Sequence, residues 1–387
     1  MIATHMLISH ISDLHLGYAQ FGLEEREEDV YQTFQEAIDV SIKEGVRIVI
    51  LAGDLFHNPR PCGKAIITLG NALKKLRDCQ IPAVCVLGEH DISRLRDVPF
   101  VHIYSNLGLV KKLRHDEPFL ADNCVLFGVD KERRSNLEAL IVKMNHAEQV
   151  AKQHDGKKKI LVLHQGLIDF NKFAGELNST DLPEGFNYYA LGHYHDHLEK
   201  RFSYLGGPLA YPGSIDLTSS EGIKEVEKGF LITDMSGEEP STHWVRLNRR
   251  QQFSARINYE DIGKELTVIV EKARGFGNKK PIVRIEVAGS GIDSKVIAEH
   301  LKRLNDSCLH YVWQPLEDRV ATTVYDFKPV DIDSELYRLS AQALGSEELA
   351  KFVVGEILPL AADRDARSVL EVVWQAYKAN KFGGTVT

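Results

Sequence analysis

The stretch Ile8-Ser-His-Ile-Ser-Asp-Leu-His-Leu-Gly17 decides how the rest of the sequence is read. Met6 to Ile11 is an apolar run of strand length that stops at Ser12-Asp13-Leu14-His15. Period-two alternation puts Asp13 and His15 on one side of the chain. A carboxylate and an imidazole presented together at the carboxyl end of a strand make half a metal site. Taken alone, Asp-x-His reads equally well as a strand, an Asp-containing turn and a satisfied histidine. The segments downstream decide between these readings.

Working outward, Glu24 to Glu44 carries Val30, Phe34, Ala37, Ile38 and Ile42 at helical spacing and closes on Gly45. Arg47 to Ala52 is a continuous apolar strand that runs into Gly53-Asp54. Lys64 to Cys79 repeats the amphipathic pattern, and Ile81 to Leu87 is a strand running into Gly88-Glu89-His90-Asp91. Cys124 to Val129 and Ile160 to Leu163 are further strands, separated by a helix near Arg134 to His154. This alternation predicts an α/β architecture. From about Asn187 strands dominate: Tyr188–Leu191, Leu209–Tyr211, Gly229–Asp234 and His243–Leu247. Together they predict two sheets face to face with helices outside. A compact β-α-β-α-β pattern then runs from Phe253 to Trp313, and the chain from Asp331 reads as two or three short helices. The expected division is 1–250, 251–330 and 331–387.

Five marks fall at or near the ends of predicted strands: Asp13-x-His15, Gly53-Asp54, Gly88-Glu89-His90-Asp91, His164 and Gly192-His193-x-His195. Each has an ordinary reading as a turn or a core histidine. In this order they are expected to bring carboxylates and imidazoles to the same edge of one sheet, where crevices form. The wider composition narrows the chemistry. Of the 16 histidines, 13 lie at or before His197. The formal net charge of −8 argues against a generally basic nucleic-acid binder, although bound cations can reverse the local potential. No run approaches the roughly 18 apolar residues of a membrane span, and no N-terminal signal pattern is present. The five cysteines include no Cys-x-x-Cys pair and read as thiols of a reducing cytoplasm. The absence of Gly-x-x-x-x-Gly-Lys-Ser/Thr argues against ATP hydrolysis by this chain alone.

The set of motifs resembles the calcineurin-like metallophosphoesterase superfamily. Several further stretches are similar to the SbcD-type nuclease of double-strand-break repair, in its archaeal form. They are Gly53-Asp-Leu-Phe-His57 with Arg60-Pro61, Leu23-Glu-Glu-Arg-Glu-Glu-Asp29, Leu163-His-Gln-Gly166, Tyr189-Ala-Leu-Gly-His-Tyr-His195, Ala210-Tyr-Pro-Gly-Ser214 and Lys228-Gly-Phe230. The likeness is strong to about residue 250. Beyond that it rests on domain order and on Lys381-Phe-Gly-Gly384. It implies an αββα two-sheet sandwich at 1–250, a small α/β DNA-capping domain at 251–330 and a helical partner-binding segment at 331–387. It also implies two Mn2+ per chain: Asp13, His15 and His195 on one ion, Glu89, His164 and His193 on the other, and Asp54 bridging both. His90 would act on the leaving oxygen or hold the phosphate, Asp91 would orient His90, and His57 would handle the DNA strand. Tyr18, Arg60, Arg94 and Arg96 are the candidate DNA contacts. Lys131-Glu-Arg-Arg134, Lys157-Lys-Lys159 and Arg249-Arg250 read as solvated faces.

The reading is therefore a manganese-dependent DNA exonuclease and endonuclease of a prokaryotic, nucleoid-associated cytoplasm. It would be a homodimer working with an SMC-like ABC ATPase. One departure from the family pattern is Glu89, where the family has Asn. It reads either as lineage variation or as altered metal preference and reduced activity. Two other readings stay open: a phosphoesterase for non-nucleic-acid esters, and a catalytically weak scaffold that binds DNA ends. For the tail, the apolar positions from Leu336 to Trp374 either pack on the protein itself or dock on a partner helix.

Overall fold

The computed structural model describes residues 6–93, 98–316, 332–362 and 366–379. The first strands are β1 (Leu7–Ile11), β2 (Ile48–Ala52), β3 (Ala83–Val86), β4 (Lys111–Lys112), β5 (Phe119–Ala121), β6 (Cys124–Val129) and β7 (Lys158–His164). They are followed by β8 (Tyr188–Gly192), β9 (Leu198–Lys200), β10 (Leu209–Tyr211), β11 (Gly229–Asp234) and β12 (Ser241–Arg246). Helices α1 (Glu24–Lys43), α2 (Gly63–Asp78), α3 (Val101–Asn106) and α4 (Leu137–Ala151) lie between them.

Two six-stranded sheets result, ordered β12-β11-β1-β2-β3-β4 and β5-β6-β7-β8-β10-β9. The α/β class and the two-sheet layering expected from the sequence are present, but the sheets do not divide along the chain. The late strands β11 and β12 return antiparallel beside β1. The early strands β6 and β7 run parallel with β8 in the second sheet. The continuous apolar runs have a simple origin, because the central strands of each sheet are buried on both faces. Along β2, Ile48, Ile50 and Ala52 join a core with Leu126, Ile160, Val162, Tyr188 and Ala190 of the other sheet. Val49 and Leu51, on the opposite face, pack with Phe34 and Ile38 of α1 and Leu69 and Leu73 of α2. Helix α1 carries Glu24, Glu25 and Glu27 in its first turn, where the helix dipole favours negative charge. The chain leaves it through Gly45 at φ +68°.

A third, all-parallel sheet of β13 (Gln252–Asn258), β14 (Ile282–Ala288) and β15 (His310–Pro315) follows. Its core is made with α5 (Ile262–Arg274) and α6 (Ser294–Leu301), through Leu266, Ile269, Ile285 and Ile297. A buried ion cluster ties this sheet to α1. Arg26 has no exposed surface, and it donates from Nε to Gln20 Oε1 (3.1 Å), from Nη1 to Asp29 Oδ2 (2.6 Å) and from Nη2 to Asp216 Oδ1 (3.0 Å). Asp29 also accepts from Arg250 Nε at 2.6 Å, and the Gln20 and Gln252 amides pair with each other. Arg249 and Arg250 are thus buried, at 4% and 8% exposure, and the solvated face expected of them is wrong. Carboxylate and carbonyl partners from distant segments compensate their burial.

The described residues form two compact units: 6–93, 98–131, 141–165 and 182–316 in one, and 132–140, 166–181, 332–362 and 366–379 in the other. In the second, α7 (Ile332–Leu344), α8 (Glu347–Phe352), a π-helical turn at Val353–Ile357, α9 (Leu358–Ala362) and α10 (Ala366–Lys378) follow one another. Ala350, Phe352, Val354 and Ala376 are buried there. Leu370, Val373, Trp374 and Tyr377 leave one face of α10 exposed. Some self-packing therefore occurs, and it leaves part of the apolar surface uncovered.

Candidate metal centre

The site is built where strands stop. Asp13 and His15 follow β1 at φ +53° and +45°, Asp54 follows β2 at +51°, and His193 follows β8 at +103°. Four non-glycine residues in left-handed backbone cost on the order of 1–3 kcal/mol each, a strain the surrounding sheets must hold. The backbone holds it through parallel bonds beyond the strands: Asp13 N–H to Gly53 O (3.1 Å), His15 N–H to Asp54 O (3.0 Å) and Leu16 N–H to Leu55 O (3.1 Å). The ligand candidates come from two sheets, not from the edge of one as the sequence suggested. Asp13, His15, Asp54 and Glu89 follow strands of the first sheet, while His164 ends β7 and His193 and His195 follow β8 in the second. Gly88 lets these segments close: a Cβ there would lie 2.1 Å from Asp54 Oδ1.

The side chains converge. Asp54 Oδ2 is 3.4 Å from His164 Nε2 and 3.8 Å from His15 Nε2. Asp13 Oδ1 is 3.8 Å from His195 Nε2, and the Nε2 atoms of His15 and His195 face each other at 3.3 Å. Glu89 spans His164 Nε2 and His193 Nδ1, each 3.1 Å away. Within each of the sets Asp13/His15/His195, Asp13/Asp54/His164 and Glu89/His164/His193, potential ligand atoms lie within 4.8 Å of one another. His164 tests whether a cation fits. Its Nδ1 lies 2.7 Å from Ala52 O and so donates its proton, which leaves Nε2 as the atom that takes a cation, or a proton in its place. That Nε2 is buried, and despite its nearness to Glu89 it makes no aligned hydrogen bond. A buried acceptor aimed among carboxylates suits a cation.

The electrostatics agree. Burial pushes Asp13 up to about 6. At Asp54 burial and Glu89 oppose the charge, yet His164 and His15 hold the carboxyl down at about 2. Burial holds His15 well below its ordinary range, and burial with Lys228 nearby brings His195 down to about 3. His164 goes the other way: burial opposes its charge, but Asp54 and Glu89 raise it well above the ordinary value. Negative charge collected in a dry site thus draws in positive charge, here a proton. Glu89 keeps 39% of its side chain exposed, so water screens it more than the two aspartates.

Beside this cluster, His90 donates from Nδ1 to His57 O at 2.8 Å, and its ring lies 4.8 Å from that of His15. His57 stacks on His90 (5.7 Å between centroids) and meets Tyr18 in a tilted contact (4.7 Å). The resemblance implied that Asp91 orients His90; the hydrogen bonds of Asp91 run to backbone groups. Its buried carboxylate accepts from the backbone N–H groups of Leu55 (2.9 Å), Phe56 (3.1 Å) and Gly88 (3.0 Å). It therefore shapes the two turns that carry Asp54 and Glu89. Arg60 is exposed, and Arg94 and Arg96 lie outside the described residues. The sequence reading missed Thr218, whose Oγ1 is 2.8 Å from His195 Nδ1. Thr218 lies 23 residues from that histidine, in a loop without regular periodicity.

Residues 6–197 match the calcineurin-like phosphoesterase family, and the two-sheet layering and the strand-end cluster of carboxylates and imidazoles are those of a metal-dependent phosphoesterase. Over 319 residues the chain is 34% identical to the DNA double-strand break repair protein Mre11 of Sulfolobus acidocaldarius, covering 79% of this chain and 81% of that protein. The Mre11 proteins of Sulfurisphaera tokodaii (33% over 341 residues, 84% of each) and Saccharolobus solfataricus (32% over 313 residues, 79% and 81%) are similarly close. The chain belongs to the Mre11 family of DNA double-strand break repair proteins.

Proposed function

We propose that the protein is a manganese-dependent DNA nuclease, exonucleolytic and endonucleolytic, acting in double-strand-break repair by two-metal phosphodiester hydrolysis. The observation that carries this reading is Asp54, set between two ligand groups and beside the unbonded Nε2 of His164. Asp13, His15 and His195 would hold one ion, Glu89, His164 and His193 the other, and Asp54 both. Bound cations supply an activated water and charge compensation on the phosphate oxygens. Mixed nitrogen and oxygen donors favour manganese over calcium or magnesium. His90, its Nδ1 anchored on His57 O, presents Nε2 to a phosphate or leaving oxygen. His57, Tyr18 and Arg60 line the approach of the strand, and Arg94 and Arg96 are assigned to phosphates from sequence position alone. Glu89 adds a negative charge where a neutral amide would bind less strongly, which tightens the metal and reduces its pull on the phosphate.

The fold around the site supports the rest of the proposal. The 251–330 segment, whose strand β13 is tied to α1 by the Arg26 cluster, would cap bound DNA. Ile67 on α2 and Ile103 and Leu107 at α3 are exposed, and Tyr104 reaches from α3 to Ile66 O. Such an adjoining apolar surface suits a homodimer. The uncovered face of α10 suits a helix of an SMC-like ABC ATPase partner. A nucleoid-associated place in the cell belongs to the same reading, and no helix among the described residues is long and apolar enough to cross a membrane. The test is purified protein with manganese and plasmid or linear DNA. Asp54→Ala is expected to abolish cleavage and lower manganese stoichiometry, and His90→Ser to lose cleavage while keeping both ions. Cleavage of a generic phosphate ester in place of DNA would favour a general phosphoesterase. DNA-end binding without cleavage would favour the weak scaffold that Glu89 keeps open.

A further inference from the structure

We propose that Thr218, held by Glu221 and Lys228, is a positioning residue that fixes the tautomer of His195 and so sets how tightly the His195 subsite holds a divalent cation. The inference rests on the metal-centre reading above, but its first step concerns only protons. Thr218 Oγ1 lies 2.8 Å from His195 Nδ1 and 3.2 Å from Glu221 Oε2. The Thr218 N–H also donates to Glu221 Oε2 at 3.0 Å. Lys228 Nζ donates to Glu221 Oε1 at 2.6 Å and to the carbonyl of His195 itself at 2.7 Å. Thr218 and Lys228 are buried, and the Glu221 side chain is 8% exposed.

The direction of the relay follows from counting protons. A hydroxyl has one proton to give and two lone pairs. Glu221, an anion paired with a buried ammonium, can only accept, so it takes the Thr218 proton. Thr218 Oγ1 must then accept from His195 Nδ1–H, which leaves Nε2 bare. That Nε2 is the atom facing His15 Nε2 at 3.3 Å and Asp13 Oδ1 at 3.8 Å. If the hydroxyl instead donated to His195, Nε2 would carry a proton and could not ligate. Lys228 closes the loop, because it fixes both the anion that orders the hydroxyl and the backbone that carries the imidazole. Ser220 Oγ, 3.3 Å from the same Nδ1, is exposed and has water as a competing partner. The test removes it, which leaves Glu221 Oε2, 3.7 Å from that Nδ1, as the other acceptor near the ring.

The experiment uses the full chain. Manganese binding is followed by electron paramagnetic resonance titration in Ser220→Ala as reference, Ser220→Ala with Thr218→Val, and Ser220→Ala with Thr218→Ser. The valine, an isostere without the hydroxyl, is expected to weaken one of the two sites by roughly 10- to 100-fold and leave the other unchanged. The serine is expected to restore it. Unchanged binding in the valine variant, or equal weakening in the serine variant, overturns the proposal. Independently, 15N-histidine NMR of the metal-free protein, with His195→Gln for assignment, reads the tautomer. An Nδ1–H signal for His195 supports the relay, and an Nε2–H signal overturns it whether or not metal binds. A reference protein that takes up no manganese refutes the metal centre, and the NMR result still decides the relay.

Discussion

Replacing Arg26 by Met keeps most of the aliphatic stem and removes the buried guanidinium. Three acceptors then lose a donor: Gln20 Oε1, Asp29 Oδ2 and Asp216 Oδ1. They do not lose equally. Asp29 keeps Arg250, and Gln20 keeps the amide of Gln252. Asp216, 2% exposed, keeps the Leu217 N–H on the same Oδ1, while its Oδ2 already lacks a hydrogen-bond partner. The substitution therefore leaves one buried carboxylate with a single backbone donor and only the Arg249 charge nearby, a change that costs roughly 3–5 kcal/mol. At about 2 °C per kcal/mol for a unit of this size, the melting temperature should fall by roughly 6–10 °C. Thermal and urea unfolding of the metal-free protein in chelator measures this. Arg26→Met with Asp216→Asn removes both charges and is expected to recover about 1–3 kcal/mol of the loss. A single variant that loses less than about 1 kcal/mol, or a double variant no better than the single, would refute the account of this cluster as a paired buried network.

Three further outcomes are expected. Gly88→Ala places a Cβ 2.1 Å from Asp54 Oδ1 and 2.5 Å from Asp54 N, so it should destabilise by about 1–3 kcal/mol and weaken manganese binding, read by unfolding and by titration; parental values for both would show that the turn can move. His10 is fully buried against Tyr188 OH (2.9 Å), and burial lowers it to about 3. Because the unfolded chain takes up that proton first, stability should fall by up to about 1.4 kcal/mol per pH unit as pH drops from about 6.5 towards 3. His10→Asn should flatten that slope by one proton, and an identical slope in chelator would show that other groups set it. Deleting 331–387 should leave manganese-dependent cleavage intact and remove co-purification with the ATPase partner. Aggregation of the truncated chain would instead favour self-packing of the tail.

The strand-end marks were legible because chemistry and periodicity coincide there. An apolar run that stops at Asp-x-His, Gly-Asp or Gly-x-His-Asp announces both a buried strand and a group that must be polar. Glu89 was visible as a departure for the same reason. The function of Asp91 was not, since its partners are backbone N–H groups that any sequence supplies. Arg249 and Arg250 read as surface because a charged pair next to a domain boundary carries no periodic signal, and the partner of Arg250, Asp29, is 221 residues away.

The sequence by itself determined the element types, the α/β class, the order of the motifs and the residues whose chemistry suits a cation, since these depend on local pattern and on residue type. Only the tertiary structure decided that the ligand candidates come from two sheets, because strand pairing joins β11 to β1 and β7 to β8 across long separations. It also decided the left-handed backbone at Asp13, His15, Asp54 and His193, a strain no local preference would choose and that only packed sheets can hold. And it placed Thr218 behind His195, a contact made by a loop whose path is set by an ion pair buried beneath it.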